Sequence, residues 1–318
     1  MIAAVLKNPG NFELQKSPLP QIQNDDEVLI KLEGCGICSS SIPLWEGREW
    51  FNYPYEPGSP GHEGWGTVID TGSAVSNVGK GDRVAFLSFH AFAEFDKASA
   101  GSLVKLPDTL NGFPFPGEPL GCALNIFERS DISAGQTVAI IGSGFLGAML
   151  CQLCKAAGAK VIAISRRQYS LEVAKTNGAD EIVQLTNTWD TSGCVSEITA
   201  NRLCDRVIEA TGKQEGLDIA TEIVSEGGRL IIAGFHQDGL RQVNVQKWNW
   251  KGIDVINAHE RDSNKYLTGM QKAIDAVVED KIDPSALYTH ILALGEVGEG
   301  FKLTATRPDG FMKALIQI

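Results

Sequence analysis

TVAIIGSGFLGAMLCQLCKAAGAKVIAISRR, residues 137–167, decides how half of this chain folds. Residues 137–141 form an apolar run short enough for a buried strand, and residues 144–157 carry the spacing of an amphipathic helix. A second apolar strand follows at 160–165. Between strand and helix, Gly142, Gly144 and Gly147 stand in GxGxxG spacing, with Ser143, Phe145 and Leu146 completing the turn. Gly142 can make the tight turn, Gly144 lets the backbone approach a pyrophosphate, and Gly147 permits close packing of helix on strand. The helix N-terminus attracts phosphate charge. Alone the spacing is weak, but in a strand, turn, helix, strand context it predicts dinucleotide binding over a merely structural glycine turn.

The end of the second strand bears on which dinucleotide. NAD-binding units place Asp or Glu there to accept hydrogen bonds from the ribose hydroxyls. Here the residue is Ser165, followed by Arg166 and Arg167. Without a carboxylate nothing repels a 2′-phosphate, and guanidinium groups bind one through charge-assisted hydrogen bonds. NADP is therefore expected over NAD. The alternative leaves one or both arginines as solvated charges at a helix start.

Outward from this segment the rhythm continues. Apolar strands at 206–210, 229–233 and 254–258 alternate with helical patterns at 170–177, 217–224 and 264–279, the signature of a doubly wound parallel sheet. The first third differs: short β-type runs at 27–33, 66–69, 83–86 and 103–105 lie between Gly, Pro, Asn and Asp clusters, which predicts an irregular, mostly antiparallel β domain. The run 311–318 has no place in the parallel sheet and is expected to return to that first domain. The expected division is 1–118 with 283–318, and 119–282. No internal repeat or low-complexity tract interrupts it.

Composition excludes several classes. The 318 residues are 43% hydrophobic and 21% charged, ordinary for a globular protein with two cores. Lys+Arg 28 against Asp+Glu 39 give a net charge of −11, which repels nucleic acid and anionic lipid. The N-terminal residues reach a charge and a Pro-Gly turn too soon for a signal peptide or a spanning helix, so a cytoplasmic protein is expected. Seven cysteines form an odd set without a dense framework and read as reduced thiols.

A second constellation carries chemistry. GCGICSSSIPLWEG, residues 34–47, contains Cys38, and PGHEGWGTVIDTG, residues 60–72, contains His62 and Glu63. GEPLGCALN, from residue 117, supplies Glu118. Thiolate, imidazole and carboxylate suit zinc better than magnesium or calcium, and ligands from separated loops leave a coordination position open, as catalytic zinc sites do. Glu118 has a blander reading, since an acid at a helix start favours the helix dipole. Cys35 with Cys38 and Cys151 with Cys154 form two CxxC pairs, but the second lies inside a helix and reads as core packing, against a zinc ribbon.

The order GCGIC, GHE, EPL and GxGxxG resembles the zinc-dependent medium-chain alcohol dehydrogenase family over essentially the whole chain, in its sorbitol, threonine and secondary-alcohol dehydrogenase branches. The resemblance implies a GroES-like β domain beside a Rossmann domain. It implies one catalytic zinc near Cys38, His62 and Glu118, with Glu63 exchangeable or just behind. Ser40 matches the family hydroxyl that relays the substrate proton. The implied reaction is hydride transfer between a nicotinamide, NADP(H) by the reading of residues 165–167, and an alcohol or carbonyl substrate (a secondary alcohol, polyol or ketone) polarised by zinc, in a homodimer or homotetramer.

Two departures stand out. The four-cysteine lobe that holds a structural zinc in many members is missing after the GDRV segment, so no structural zinc is expected. Ser41 replaces the usual Asp that orients the zinc-bound histidine, which puts metal affinity in question. Trp45, Trp50, Phe51, Tyr53 and Tyr55 are candidates to wall a substrate pocket, with core or interface packing the alternative for about half of them, and His90, Phe92 and His259 are further pocket candidates by their position in the family pattern. Two rivals remain: a zinc-free quinone or enoyl reductase of the same fold, and a protein that binds NADP without turnover.

Overall fold

The structure, a computed structural model, describes residues 1–318. The chain divides into two compact units: Met1–Gly121 with Tyr266–Val278 and Asp283–Ile318, and Cys122–Lys265 with Glu279–Ile282. In chain order the strands are β1 (Ile2–Asn8), β2 (Asn11–Lys16), β3 (Glu27–Gly36), β4 (Glu63–Thr71), β5 (Arg83–Phe86), β6 (Phe95–Ser99) and β7 (Leu103–Lys105). Then come β8 (Thr137–Ile141), β9 (Lys160–Ser165), β10 (Glu181–Gln184), β11 (Cys204–Glu209), β12 (Val224–Ile232), β13 (Asp254–Asn257), β14 (His290–Ala293) and β15 (Ala314–Gln317).

In the second unit six strands lie in the order β10-β9-β8-β11-β12-β13, every neighbouring pair parallel. Such strands are covered on both faces and must be apolar throughout. Val138, Ala139, Ile140 and Ile141 are accordingly fully buried, as are Val161 to Ile164. The helix Phe145–Ala156 sets Leu150, Cys151 and Cys154 against Val138, Ile140 and Ile208. On the other face the helix Gln214–Ile223 brings Leu217, Ile219 and Ile223 onto Ala139, Ile141 and Val207. Each such side chain contributes roughly 1.5–3 kcal/mol by burial. Strand order reverses between β8 and β11, so the glycine turn after β8 sits where open α/β sheets take their ligands.

β10 and the helix Thr188–Ile198 go beyond the sequence reading. β10 is an edge strand that fully buries only Val183 of its four residues, too little apolar content to stand out.

The first unit is built around a sheet in the order β14-β15-β3-β4-β5-β7, with β6 also on β3, and a separate β1-β2 hairpin. Its pairs are antiparallel except β14 with β15. β15 lies beside β3. β3 runs to Gly36, beyond the expected end at 33, and β4 exceeds the expected 66–69. The glycines there do not break the strand; they admit neighbours. A Cβ on Gly34 would lie 2.3 Å from the Trp65 ring, and one on Gly36 only 1.9 Å from Glu63 Oε2.

Phe92 is corrected from pocket wall to core. It is 1% exposed and meets Phe12 and Phe301 edge-on, with centroids 6.4 and 5.9 Å apart. Trp45 likewise stacks on Phe301, 6.1 Å away.

Candidate active site

Sheet register assembles the first constellation. Gly36 ends β3 with Glu63 opposite it on one side and Leu315 on the other. Cys38 follows two residues later, at the head of a single 3₁₀ turn, Ser39–Ser41. Ile37 N–H donates to Ala314 C=O at 3.0 Å, which anchors this departure from the strand. His62 immediately precedes β4. The ligand atoms of Cys38, His62 and Glu63 consequently lie within 4.8 Å of one another. Glu118, in the first turn of the helix Gly117–Ser130, is outside that group but near enough to act on His62 and Lys313 by charge.

Behind Glu63 stands Lys313, which sequence reasoning missed. Its Nζ lies 2.7 Å from Glu63 Oε1 and 2.5 Å from Oε2, and donates to Ile37 C=O at 3.0 Å. The side chains are 7% and 0% exposed. The available signal was a lone lysine inside the apolar run FMKALI, residues 311–316.

The electrostatics favour positive charge. Burial disfavours a charged imidazolium, yet Cys38, Glu118 and Glu63 outweigh burial and raise the His62 pKa to about 10. Burial also disfavours the Lys313 ammonium, and Glu63, with help from Cys38 and Glu118, holds its pKa above the ordinary lysine value. His62 Nδ1 donates to Pro60 C=O at 3.0 Å, so Nε2 is the nitrogen that offers a lone pair once a bound metal displaces its proton. Ser40 is exposed, and its hydroxyl donates to Cys38 Sγ at 3.2 Å.

In the second unit the glycine turn shows three different constraints. Gly142 has φ +101°, in the left-handed region, and donates to Ile164 C=O at 2.8 Å. Nothing lies within 4 Å of where a Gly144 Cβ would be, so that approach is open. A Gly147 Cβ would sit 2.3 Å from Gly142 O. Gly147→Ala is therefore expected to displace the turn, lowering stability by about 1–3 kcal/mol and weakening dinucleotide binding; denaturant melts and a fluorescence titration check both. Ser143, Phe145 and Leu146 offer this turn mainly backbone: Ser143 is buried with its hydroxyl on Ile164 C=O at 3.4 Å, Phe145 is 9% exposed, and Leu146 packs on the core. Ser165 ends β9, and Arg167 stands at the N-cap position of the next helix, Gln168–Thr176. Arg166, 70% exposed, is paired with Glu215.

Residues 24–113 match the family described as the alcohol dehydrogenase GroES-like domain, and 146–279 match the zinc-binding dehydrogenase family, together well over half the chain. The chain belongs to the zinc-type medium-chain alcohol dehydrogenase family.

Relatives of this alcohol dehydrogenase include D-arabinitol dehydrogenase 1 of Uromyces fabae, 27% identical over 96% of this chain and 95% of the relative. L-threonine 3-dehydrogenase of Bacillus velezensis is 28% identical over 94% of both chains. A zinc-binding dehydrogenase from Sinorhizobium meliloti, solved bound to NADP, superposes with a TM-score of 0.85 at 25% identity, covering 100% of this chain and 99% of the other. The dehydrogenase is an alcohol oxidoreductase. No helix is long and apolar enough to cross a membrane.

The remaining candidates take separate places in the dehydrogenase. Phe89 stacks on His62, 6.2 Å between centroids and 10° between planes, so one face of the imidazole is covered. Trp50 is 62% exposed with Arg48 6.0 Å over its ring, and packs against Phe51. Tyr53 and Tyr55 meet at 5.4 Å, and the Tyr53 hydroxyl donates to Leu44 C=O. His90 lies near the buried Asp96. His259 stacks on Phe235 in the second unit. Cys151 and Cys154 are fully buried in the core beside Val138 and Ile140, where burial pushes the Cys151 thiol up to about 12.

Proposed function

We propose that this protein is a zinc-dependent, NADP-preferring alcohol dehydrogenase and carbonyl reductase, acting on a secondary alcohol, polyol or ketone. The observation that carries the reading is the convergence of Cys38, His62 and Glu63 within 4.8 Å, backed by the buried Lys313. The donor set fits the metal: a soft thiolate, an imidazole whose other nitrogen is already engaged by Pro60, and a carboxylate. Cys38 and His62 would hold zinc together with a carboxylate from Glu63 or Glu118. When bound, zinc supplies a Lewis acid for the alcohol or carbonyl oxygen and the nicotinamide supplies the hydride acceptor or donor.

The chain's own residues do the rest. Ser40 Oγ, exposed and beside Cys38, takes the alcohol proton and passes it to solvent, and returns it in reduction. Lys313 pairs with the buried Glu63 carboxylate, which fixes that carboxylate in place beside Cys38 and His62. The loss of Asp at position 41 is offset by the Pro60 carbonyl, a neutral partner that orients the imidazole without adding negative charge.

Ser165, Arg166 and Arg167 support NADP, as does the NADP in the Sinorhizobium meliloti relative. Glu215 opposes it, since it occupies Arg166 and would face an incoming 2′-phosphate. Glu215→Gln is expected to tighten NADPH by roughly three- to tenfold while leaving NADH within about twofold. Parallel titrations of the two cofactors check this, and equal changes for both would discount Arg166 as the phosphate ligand. The polyol and alcohol substrates named in the relatives guide the choice of assay. Zinc per chain and NADPH oxidation over a panel of ketones, with the reverse reaction on polyols, test the whole reading. Turnover of ketones by metal-free protein would transfer it to a zinc-free reductase.

A further inference from the structure

One polar network in the second unit has no part in the proposed reaction. Glu209 ends β11 fully buried, while His236 and Arg241, 15% and 16% exposed, belong to the loop after β12. His236 Nε2 lies 2.9 Å from Glu209 Oε2, and Arg241 Nε donates to His236 Nδ1 at 3.0 Å. A guanidinium has only protons to give, so Nδ1 must accept and the ring proton sits on Nε2, donated to Glu209. Arg241 Nη2 then donates to Gly212 C=O at 2.9 Å, and Glu209 Oε1 accepts from Thr211 N–H at 2.6 Å and Gly212 N–H at 3.0 Å. Lys213 pairs with Asp238 as a second tie between the same two segments. The network thus closes a ring joining 209–213 to 234–241.

Apolar burial does not hold this loop. Phe235, Leu240 and Val243 are 55%, 101% and 43% exposed. Close approach does: a Cβ on Gly234 would lie 2.2 Å from Gly212 N and 2.8 Å from Glu209 Oε2. The ring also borders the glycine turn, because a Cβ on Gly142 would meet Thr211 Cγ2 at 2.8 Å. A dinucleotide whose pyrophosphate lies at the helix after β8 places its adenosine ribose at the end of β9. Its other nucleotide must then run the opposite way, across the ends of β11 and β12.

We propose that Glu209, His236 and Arg241 form a positioning clamp that fixes residues 234–241 under the nicotinamide half of the cofactor. The proposal rests on the dinucleotide reading of this unit. His236 and Arg241 act through the backbone they hold, and they are positioning residues.

The test uses the full chain as wild type, His236→Ala, His236→Gln and Arg241→Met. Binding of NADPH and of its adenosine fragment 2′,5′-ADP is measured by calorimetry, and NADH with 5′-ADP is run in parallel; the pair that wild type binds more tightly is compared. His236→Ala and Arg241→Met are expected to weaken the whole dinucleotide by about tenfold and its adenosine fragment by less than about twofold. His236→Gln, whose amide offers one acceptor and one donor, restores most of the loss. Equal weakening of dinucleotide and fragment, or no weakening of either, overturns the clamp while leaving the dinucleotide reading intact. Wild type that binds neither dinucleotide overturns that reading, and the clamp with it. Should His236→Ala fail to fold, Arg241→Met alone decides, since it leaves Glu209 paired with His236.

Discussion

Cys38→Ser and His62→Ala are each expected to lower turnover of an alcohol or ketone by roughly 10³-fold, equivalent to about 4 kcal/mol of transition-state stabilisation. Each variant removes one of three donor atoms that lie within 4.8 Å of one another, and neither side chain belongs to the buried core. The fold should therefore survive: far-UV circular dichroism and the denaturation midpoint are expected to stay close to wild type, while zinc per chain falls. Adding zinc at rising concentration should rescue Cys38→Ser in part, because an oxygen donor replaces the sulfur. Full activity in either variant with zinc-depleted protein would remove the metal from the reaction. Glu63→Gln and Glu118→Gln, assayed the same way, separate the two carboxylates. The one that joins the metal costs zinc affinity, and the other changes turnover with metal content intact.

Lys313→Met is expected to produce the largest loss of stability, about 3–5 kcal/mol, because it strands the Glu63 carboxylate inside the protein. The side chains are 7% and 0% exposed, so water cannot screen the abandoned charge. A buried pair need not itself be strongly stabilising; the cost lies in leaving one partner without the other. Accordingly the double variant Lys313→Met with Glu63→Gln should recover much of the loss, and a double-mutant cycle in urea measures the coupling. A single Lys313→Met within about 0.5 kcal/mol of wild type would mean that Glu63 takes up a proton or finds another cation at little cost. Activity adds an independent readout, since Glu63 lies beside Cys38 and His62 and any rearrangement of its carboxylate reaches them.

Much of the second unit was readable in advance because its information is local. GSGFLG placed a strand end, a turn and a helix start within a few residues, and the steric demands on Gly142, Gly144 and Gly147 differ as their spacing implied. β10 escaped notice because one fully buried valine carries too little pattern. In the first unit GCG looked like a strand break, since nothing in the local sequence says that Trp65 and Glu63 will press against Gly34 and Gly36. Phe92, a pocket candidate by its position in the family pattern, is core for the same reason: only its long-range neighbours Phe12 and Phe301 distinguish the two.

Residue order alone was enough for the parallel sheet, the glycine turn and the residue types of the metal site, because periodicity, turn chemistry and donor softness are properties of short segments. It could not pair Lys313 with Glu63, tie Arg166 to Glu215, or close the ring of Glu209, His236 and Arg241. Those partners stand 250, 49 and 27 residues apart, counting His236 from Glu209 in the last case. Charges become neighbours at such separations only through strand register and loop packing. Burial then decides whether each contact is an idle surface pair or a constraint on the chemistry.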